Sequence, residues 1–114
     1  VTEGVPDMYY RSWYADYPHA ENFLSPLFES GVSQRRWTRY SYEDLDKLIH
    51  KIQITLDDKK QGSYVNQANS ILIKDVPWVY LWHTRTPYIS QPNLSGWLPS
   101  LMFNAEKYVK VSKK

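Results

Sequence analysis

The sequence predicts an α/β fold in which a pair of helices packs on a small mixed sheet. Two stretches, 42–56 and 58–74, carry apolar residues at helical spacing and are separated by a very short connection near Asp57. Two others, 7–15 and 76–83, are short runs of the aromatic and apolar side chains that strands favour. With 114 residues, the chain can form one domain at most.

The first predicted strand, 7–15, alternates two sets of side chains, and neither set is clearly polar. We therefore expect other parts of the protein to cover both of its faces. A short helix is predicted at 20–29, where Pro26 either breaks it or limits its length. The Ser, Gly, Gln and Arg residues of 30–40 predict a loop. The apolar residues of the short helix are Phe23, Leu24, Leu27 and Phe28.

The helix at 42–56 is the clearest element, and Ser41 is its predicted N-cap. One apolar stripe runs along it, formed by Leu45, Leu48, Ile49, Ile52 and Leu56. In the helix at 58–74, Asp58 is the predicted N-cap and Gln61 occupies the third position after it, as in a capping box. The apolar face of this second helix consists of Tyr64, Val65, Ala68, Ile71 and Leu72. Stripes of this kind are typical of helices that pack into a core.

The second predicted strand, 76–83, is nearly all apolar, and its short length favours a buried strand over a helix. Two further strand candidates are shorter, at 87–91 and 108–111. A loop is predicted between them at 92–96, where Pro, Asn, Ser and Gly occur together.

Composition excludes several classes of protein. The chain has no cysteine, which rules out a disulfide scaffold, a thiol nucleophile and a cysteine zinc site. Its net charge of +2, with 23% charged residues, is too balanced to indicate nucleic-acid binding by itself. No stretch approaches the roughly 20 apolar residues that a membrane-spanning helix needs.

No arrangement of residues supports an enzyme. The sequence has neither a Gly-rich phosphate loop nor a Gly-x-Ser-x-Gly motif. The acidic residues at the start of the 42–56 helix are placed where the helix dipole favours them, and they are not spaced as an acid–base pair. The three histidines, His19, His50 and His83, lie far apart in the sequence. We therefore predict no catalytic residue, no cofactor and no metal site.

The most informative residue is Asp16, because an aromatic, strand-like stretch ends there and is followed by Pro18 and a helix start. A carboxylate at the end of a buried strand is costly unless a cation meets it, and ligands bind beyond the carboxyl ends of strands in open α/β sheets. These features predict an anionic anchor, walled by Trp13, Tyr14 and Tyr17, for a positively charged ligand group. The alternative is that Asp16 caps the following helix or closes a turn, as Asp commonly does.

A second function is suggested by the segment 34–40, which interleaves three arginines with two aromatic residues. Such a segment would stack on the bases and clamp the backbone of a single-stranded nucleic acid. No RNA-binding fold pattern accompanies it. The alternative function is thus a stand-alone basic–aromatic module that binds single-stranded nucleic acid through Arg35, Arg36, Trp37 and Arg39.

Four stretches together resemble the C-terminal part of the peptide-binding proteins of bacterial ABC importers, the clamshell receptors called solute-binding protein family 5. The four stretches are Trp-Tyr-Ala-Asp-Tyr-Pro (13–18, with Glu-Asn-Phe at 21–23), Arg-Tyr-Ser (39–41, with Asp-Lys-Leu-Ile at 46–49), Ala-Asn-Ser-Ile-Leu (68–72, leading into Asp-Val-Pro at 75–77) and Pro-Asn-Leu-Ser-Gly-Trp (92–97). The resemblance covers nearly the whole chain.

The resemblance implies that the chain is a fragment of a periplasmic-binding-protein lobe of the class II-like clamshell type. Residues 1–97 would form the C-terminal part of one α/β lobe, and 98–114 would be a tail that crosses back to the other lobe. The intact protein would be the substrate-binding component of an ABC importer for peptides, with a membrane permease as partner and no nucleic acid. It would act in the periplasm or another extracytoplasmic space, free or anchored as a lipoprotein.

The resemblance also implies a set of ligand-binding residues. The acid that matches Asp16 holds the α-ammonium group of a bound peptide. The residue that matches Trp13, together with the backbone of Tyr14 and Ala15, lines the side-chain pockets, and Tyr17 is added to this wall by the sequence pattern alone. Because most of the ligand site would lie outside this chain, we expect exposed apolar surface and self-association. The expected surface is the tail with Trp97, Leu98, Leu101, Met102 and Phe103.

Overall fold

The computed structural model describes residues 8, 10–36, 39–100, 102 and 110–113, with 34–36 as backbone only. This part of the chain contains four helices and one antiparallel pair of short strands. The elements are α1 (Glu21–Phe28), α2 (Ser30–Arg36), α3 (Glu43–Ile54), α4 (Asp58–Asp75), β1 (Leu94–Ser95) and β2 (Ser112–Lys113). Leu94 lies opposite Lys113, and Ser95 lies opposite Ser112. The structure is therefore of mixed α/β type and mainly helical.

The core lies between the helices. α3 packs against α4 and also against α1, which in turn contacts α2. The buried apolar residues that form this core are Leu24, Leu27, Phe28, Leu45, Leu48, Ile49, Ile52, Ala68 and Leu72. The predicted helix pair is thus confirmed, as is the short helix that contains Pro26. Leu56 departs from its predicted stripe, because α3 ends at Ile54 and leaves this side chain 98% exposed.

The helix caps differ from those the sequence predicted. Asp57, not Asp58, caps α4, since its side chain accepts a hydrogen bond from the Lys60 backbone N–H at 2.8 Å. The Gln61 amide donates instead to two backbone carbonyls around the end of α3, those of Ile52 and Thr55, at 3.1 and 3.0 Å. Gln61 therefore ties the two helices together. The N-cap of α3 is Tyr42, not Ser41, and it makes no side-chain cap bond.

α2 occupies most of a segment that was predicted to be a loop, so that prediction was wrong. Its first turn is held by partners outside the helix. The backbone N–H of Ser30 donates to the Asp46 carboxylate of α3 at 2.9 Å. The N–H groups of Val32 and Ser33 donate to the carbonyl of Glu29. Tertiary contacts thus outweigh the weak intrinsic preference of this sequence for a helix.

The predicted mixed sheet does not form among the described residues, and neither 10–15 nor 76–83 is a strand. The same holds for 87–91, while the predicted loop at 92–96 contains β1. A strand that is apolar on both faces needs neighbouring strands and covering helices. The described chain does not supply them, so neither segment forms a strand, and the rings of Tyr10 and Trp82 stack with their centroids 5.9 Å apart.

Each of these two segments contributes one tryptophan that packs against the helical core. Trp13 and Trp78 are partly buried against it, and the Trp78 ring lies 5.1 Å from that of Phe28. The residues after Trp78 leave the core, and those at 79–90 are all exposed. The radius of gyration of 18.2 Å exceeds the roughly 13 Å expected for a compact domain of this length.

The last predicted strand, 108–111, falls mainly outside the described residues, and β2 begins directly after it. Among the helices that the structure describes, none combines the length and the apolarity required to cross a membrane.

Substitution of the two neighbouring aspartates will show which one caps α4. We expect Asp57→Ala to lower the free energy of unfolding by about 1 kcal/mol, because the Lys60 N–H loses its acceptor. Asp58→Ala should cost about half as much or less, since it removes only a favourable charge near an exposed helix start. Urea unfolding of the two variants measures the difference. Equal losses would contradict the assignment of Asp57 as the cap.

The exposed apolar segment 79–82 predicts self-association of the chain at millimolar concentration. It consists of Val79, Tyr80, Leu81 and Trp82, each more than half exposed. Of the predicted tail surface, Leu98 is exposed, Trp97 and Met102 are half-buried, and Leu101 and Phe103 lie outside the described residues. Sedimentation velocity should show dimers, and Leu81→Lys should weaken them more than Ile73→Lys, which changes an exposed residue of α4. A strictly monomeric profile would refute the prediction.

Candidate functional site

Residues 13–17 form a continuous segment just before α1, and one side chain of that helix holds it in place. The Oδ1 atom of Asn22 accepts a hydrogen bond from the Asp16 backbone N–H at 2.9 Å and another from the Trp13 indole Nε1–H at 3.3 Å. Asn22 is only 3% exposed. The five predicted ligand-binding residues therefore lie on a segment whose path is fixed at both Trp13 and Asp16.

The carboxylate of Asp16 faces solvent. It has neither an ion-pair partner nor a hydrogen-bond donor within the described part of the chain. It does not cap α1, because the N-cap position is Ala20 and the Glu21 N–H donates to the imidazole Nδ1 of His19 at 3.2 Å. The capping role considered from sequence is thus filled by another residue. The anionic group remains available to a cation.

The other four residues of the segment differ in exposure. Ala15 is buried, with 2% of its surface exposed, and Trp13 is partly buried against the helical core. Tyr14 and Tyr17 are 51% and 44% exposed. Aromatic rings that are half exposed beside a free carboxylate provide apolar contact surface around a charged group. The backbone of Tyr14 and Ala15 lies between the two points that Asn22 fixes.

Tyr17 is linked to α3 through Glu21. The Tyr17 hydroxyl donates to one carboxylate oxygen of Glu21, and the Gln53 amide donates to the other at 3.1 Å. The hydrogen bond to Glu21 raises the pKa of the Tyr17 phenol, because ionisation would place two negative groups together. Glu21 thus holds the Tyr17 ring at the edge of the segment.

Asn22 was not among the site residues that the sequence predicted. Helical periodicity, at about 100° per residue, places it on the side of α1 away from Leu24 and Phe28, where exposure is expected. The structure buries Asn22 and exposes Phe23, because the segment 13–16 covers that side of the helix. The sequence of α1, which also carries Glu21 and Ser25, gives no local signal that singles out Asn22.

The remaining titratable groups do not form a site. Among the described residues, no three His, Asp or Glu side chains come together in a way that would hold a metal ion. His50 and His83 are exposed. A surface groove lined by Tyr88, Trp97 and neighbouring residues includes none of residues 13–17.

The side chains of the basic–aromatic segment 34–40 are described only for Arg39 and Tyr40, so the structure does not test an interface formed by this segment. Trp37 and Thr38 lie outside the described residues, and 34–36 are described as backbone only. Arg39 has a positive φ of 58°, and the Tyr40 hydroxyl donates to the Asp75 carboxylate at 2.8 Å. Tyr40 thus connects this segment to the end of α4.

Comparison with known proteins gives one informative similarity. The chain is 28% identical over 104 residues to Di/tripeptide-binding protein 2 of Pseudomonas aeruginosa (strain UCBPP-PA14). The match covers 87% of this chain and 19% of that protein, so the chain spans about a fifth of the length of this relative. No protein-family model and no solved structure matches the chain. The similarity is to a binding protein, and nothing in these comparisons supports the nucleic-acid alternative.

The link between Tyr17 and Glu21 can be tested by titration. The pKa of the Tyr17 phenol should lie above the ordinary tyrosine value of about 10, and Glu21→Gln should lower it, because a neutral amide does not oppose the phenolate. NMR of the ring carbons during a pH titration follows this group. Glu43→Gln removes an exposed acid of α3 and should leave the Tyr17 pKa unchanged. An unaltered value in Glu21→Gln would remove Glu21 from this role.

Proposed function

We propose that this chain is part of the substrate-binding component of an ABC importer for peptides. The observation that carries the proposal is its similarity to a di/tripeptide-binding protein across most of its own length. Residues 13–17 carry an exposed carboxylate and half-exposed aromatic rings. A site of this composition suits a short peptide, which brings one ammonium group and a few side chains.

In this proposal Asp16 binds the α-ammonium group of the peptide. The carboxylate is exposed and carries no cation from the described part of the chain, so it is free to accept one. Charge-assisted hydrogen bonds between an ammonium group and a carboxylate are stronger than neutral ones. The position of Asp16 at the end of the segment sets where the peptide begins.

The neighbouring residues hold the first part of the peptide. Trp13 and the backbone of Tyr14 and Ala15 line the side-chain pockets, and Tyr17 closes the edge. An extended peptide presents backbone N–H and C=O groups that pair with an extended protein segment without reference to side chains. Binding of this kind accepts many peptide sequences and still requires a free amino terminus.

The longer protein would have two lobes that close over the peptide. Residues 1–97 would complete one α/β lobe, and 98–114 would return towards the other. The complex with peptide would dock on a membrane permease from the extracytoplasmic side. Binding and release are the whole activity in this proposal, so no residue acts as a catalyst.

Asp16→Asn in the longer protein tests the role of the carboxylate. It should weaken the binding of trialanine by about 2–5 kcal/mol, because an enclosed ammonium group would lose its partner. N-acetyl-trialanine should bind the wild type poorly and lose little more on mutation, since it brings no cation. Calorimetry with both peptides measures the four affinities. Asp58→Asn, which changes an exposed acid on α4, should bind both peptides with the wild-type affinities.

The isolated chain provides a second comparison. Here Asp16 stays in water, where an ion pair is worth about 1 kcal/mol or less, so both peptides should bind feebly. If Asp16→Asn in the longer protein reduced the affinity for the two peptides equally, Asp16 would not be the group that binds the ammonium. If the wild type bound neither peptide, the proposed function would be wrong.

A further inference from the structure

A buried amide at the base of the candidate site is a feature that the proposed function leaves unexplained. Asn22 lies on α1 and is 3% exposed. Burial of such a group is costly unless its polar atoms are hydrogen-bonded. Its Oδ1 atom has two acceptor sites, and two N–H groups of the preceding segment, those of Trp13 and Asp16, point to it.

The two donors belong to Trp13, which lines the proposed side-chain pocket, and to Asp16, which binds the ammonium group in the proposed function. One is the side chain of Trp13, so the bond fixes the orientation of the indole ring. The other is the backbone of Asp16, so the bond fixes the direction in which the carboxylate side chain leaves the chain. A single atom therefore sets the position of the pocket wall relative to the anionic anchor.

The surroundings restrict other ways of holding this segment. Ala15, between the two fixed points, is buried with 2% of its surface exposed. The Trp13 ring also packs against the helical core, whereas the exposed Asp16 has the hydrogen bond to Asn22 to place its backbone N–H. Asn22 is also neutral. An acid here would stand beside Asp16 and Glu21 and would add a third negative charge.

We infer that Asn22 is the positioning residue of the peptide site: it holds the Trp13 ring and the Asp16 carboxylate in the arrangement that selects a free amino terminus. The inference rests on the proposed function, and it adds a residue that does not touch the peptide. Asn22 acts by limiting the freedom of the two groups that do. A site held in its binding geometry before the ligand arrives loses less entropy on binding.

The first measurement uses the chain without ligand. In Asn22→Leu, hydrogen exchange at the Asp16 N–H and the Trp13 Nε1–H should become about tenfold faster, because both groups lose their acceptor. Exchange at Ile49 in α3 should change by less than about threefold, since the helical core is untouched. NMR resolves these signals, and Trp13→Phe identifies the indole resonance. The control is Asn69→Leu, the same substitution at an exposed position of α4.

The second measurement uses the longer protein with trialanine and N-acetyl-trialanine. The readout is the dissociation constant of N-acetyl-trialanine divided by that of trialanine. Asn22→Leu should reduce this ratio about tenfold, because Asp16 no longer meets the ammonium group at a fixed place. A substitution that merely lowered the fraction of folded protein would weaken the binding of both peptides by the same factor and leave the ratio unchanged.

The outcomes separate the inference from the proposed function. Unchanged exchange at Trp13 and Asp16 in Asn22→Leu would overturn the inference, whatever the protein binds. Faster exchange with an unchanged ratio would also overturn it, while the loss of trialanine affinity in Asp16→Asn would leave the proposed function standing. A wild-type protein that binds the two peptides equally would overturn the inference together with the ammonium role of Asp16, and one that binds neither peptide would overturn the proposed function. Faster exchange together with a reduced ratio supports both.

Discussion

The packing of α3 against α4 is the interaction on which the rest of the described structure depends. Leu45, Ile49 and Ile52 meet Ala68 and Leu72 in the only apolar core that the described residues form. α1 closes one side of this core, and Trp13 and Trp78 pack against it from the segments 10–15 and 76–83. Burial of apolar area is the main favourable term in folding, so elements that do not reach this core have little to fix them. α1 reaches this core, and the candidate site is held in place because Asn22 of α1 binds the segment 13–16.

Sequence reasoning succeeded where structure is determined by neighbours along the chain. The stripes of α3 and α4, and the short helix at α1, follow from a spacing that any window of the sequence shows. It failed where structure depends on distant partners. α2 takes its first acceptor from Asp46 of another helix, and 76–83 would need flanking strands that the described residues do not provide. The sequence pattern could not distinguish Asp57 from Asp58 as the cap of α4, because both residues are aspartate.

The candidate site also contains residues that the sequence predicted and one residue that it did not. Asp16 and its aromatic neighbours were predicted from one short stretch, and the structure leaves the carboxylate exposed and without a partner among the described residues. Its task as a peptide contact stays a prediction. Asn22 could not be predicted, because periodicity assigns it to the exposed side of α1. It is buried only because the chain folds back over it, and its role becomes visible once the two N–H groups that share its oxygen are in place.

The bond between Ser30 and Asp46 also bears on the order in which the chain assembles. α3 and α4 are adjacent in sequence, so their contacts close a short loop and form early. The first turn of α2 relies on a carboxylate that belongs to α3. During synthesis on the ribosome the α2 segment emerges before α3, and at that moment its Ser30 N–H has no such acceptor. The first turn of α2 is therefore completed only after α3, the helix that follows it in the sequence, has formed.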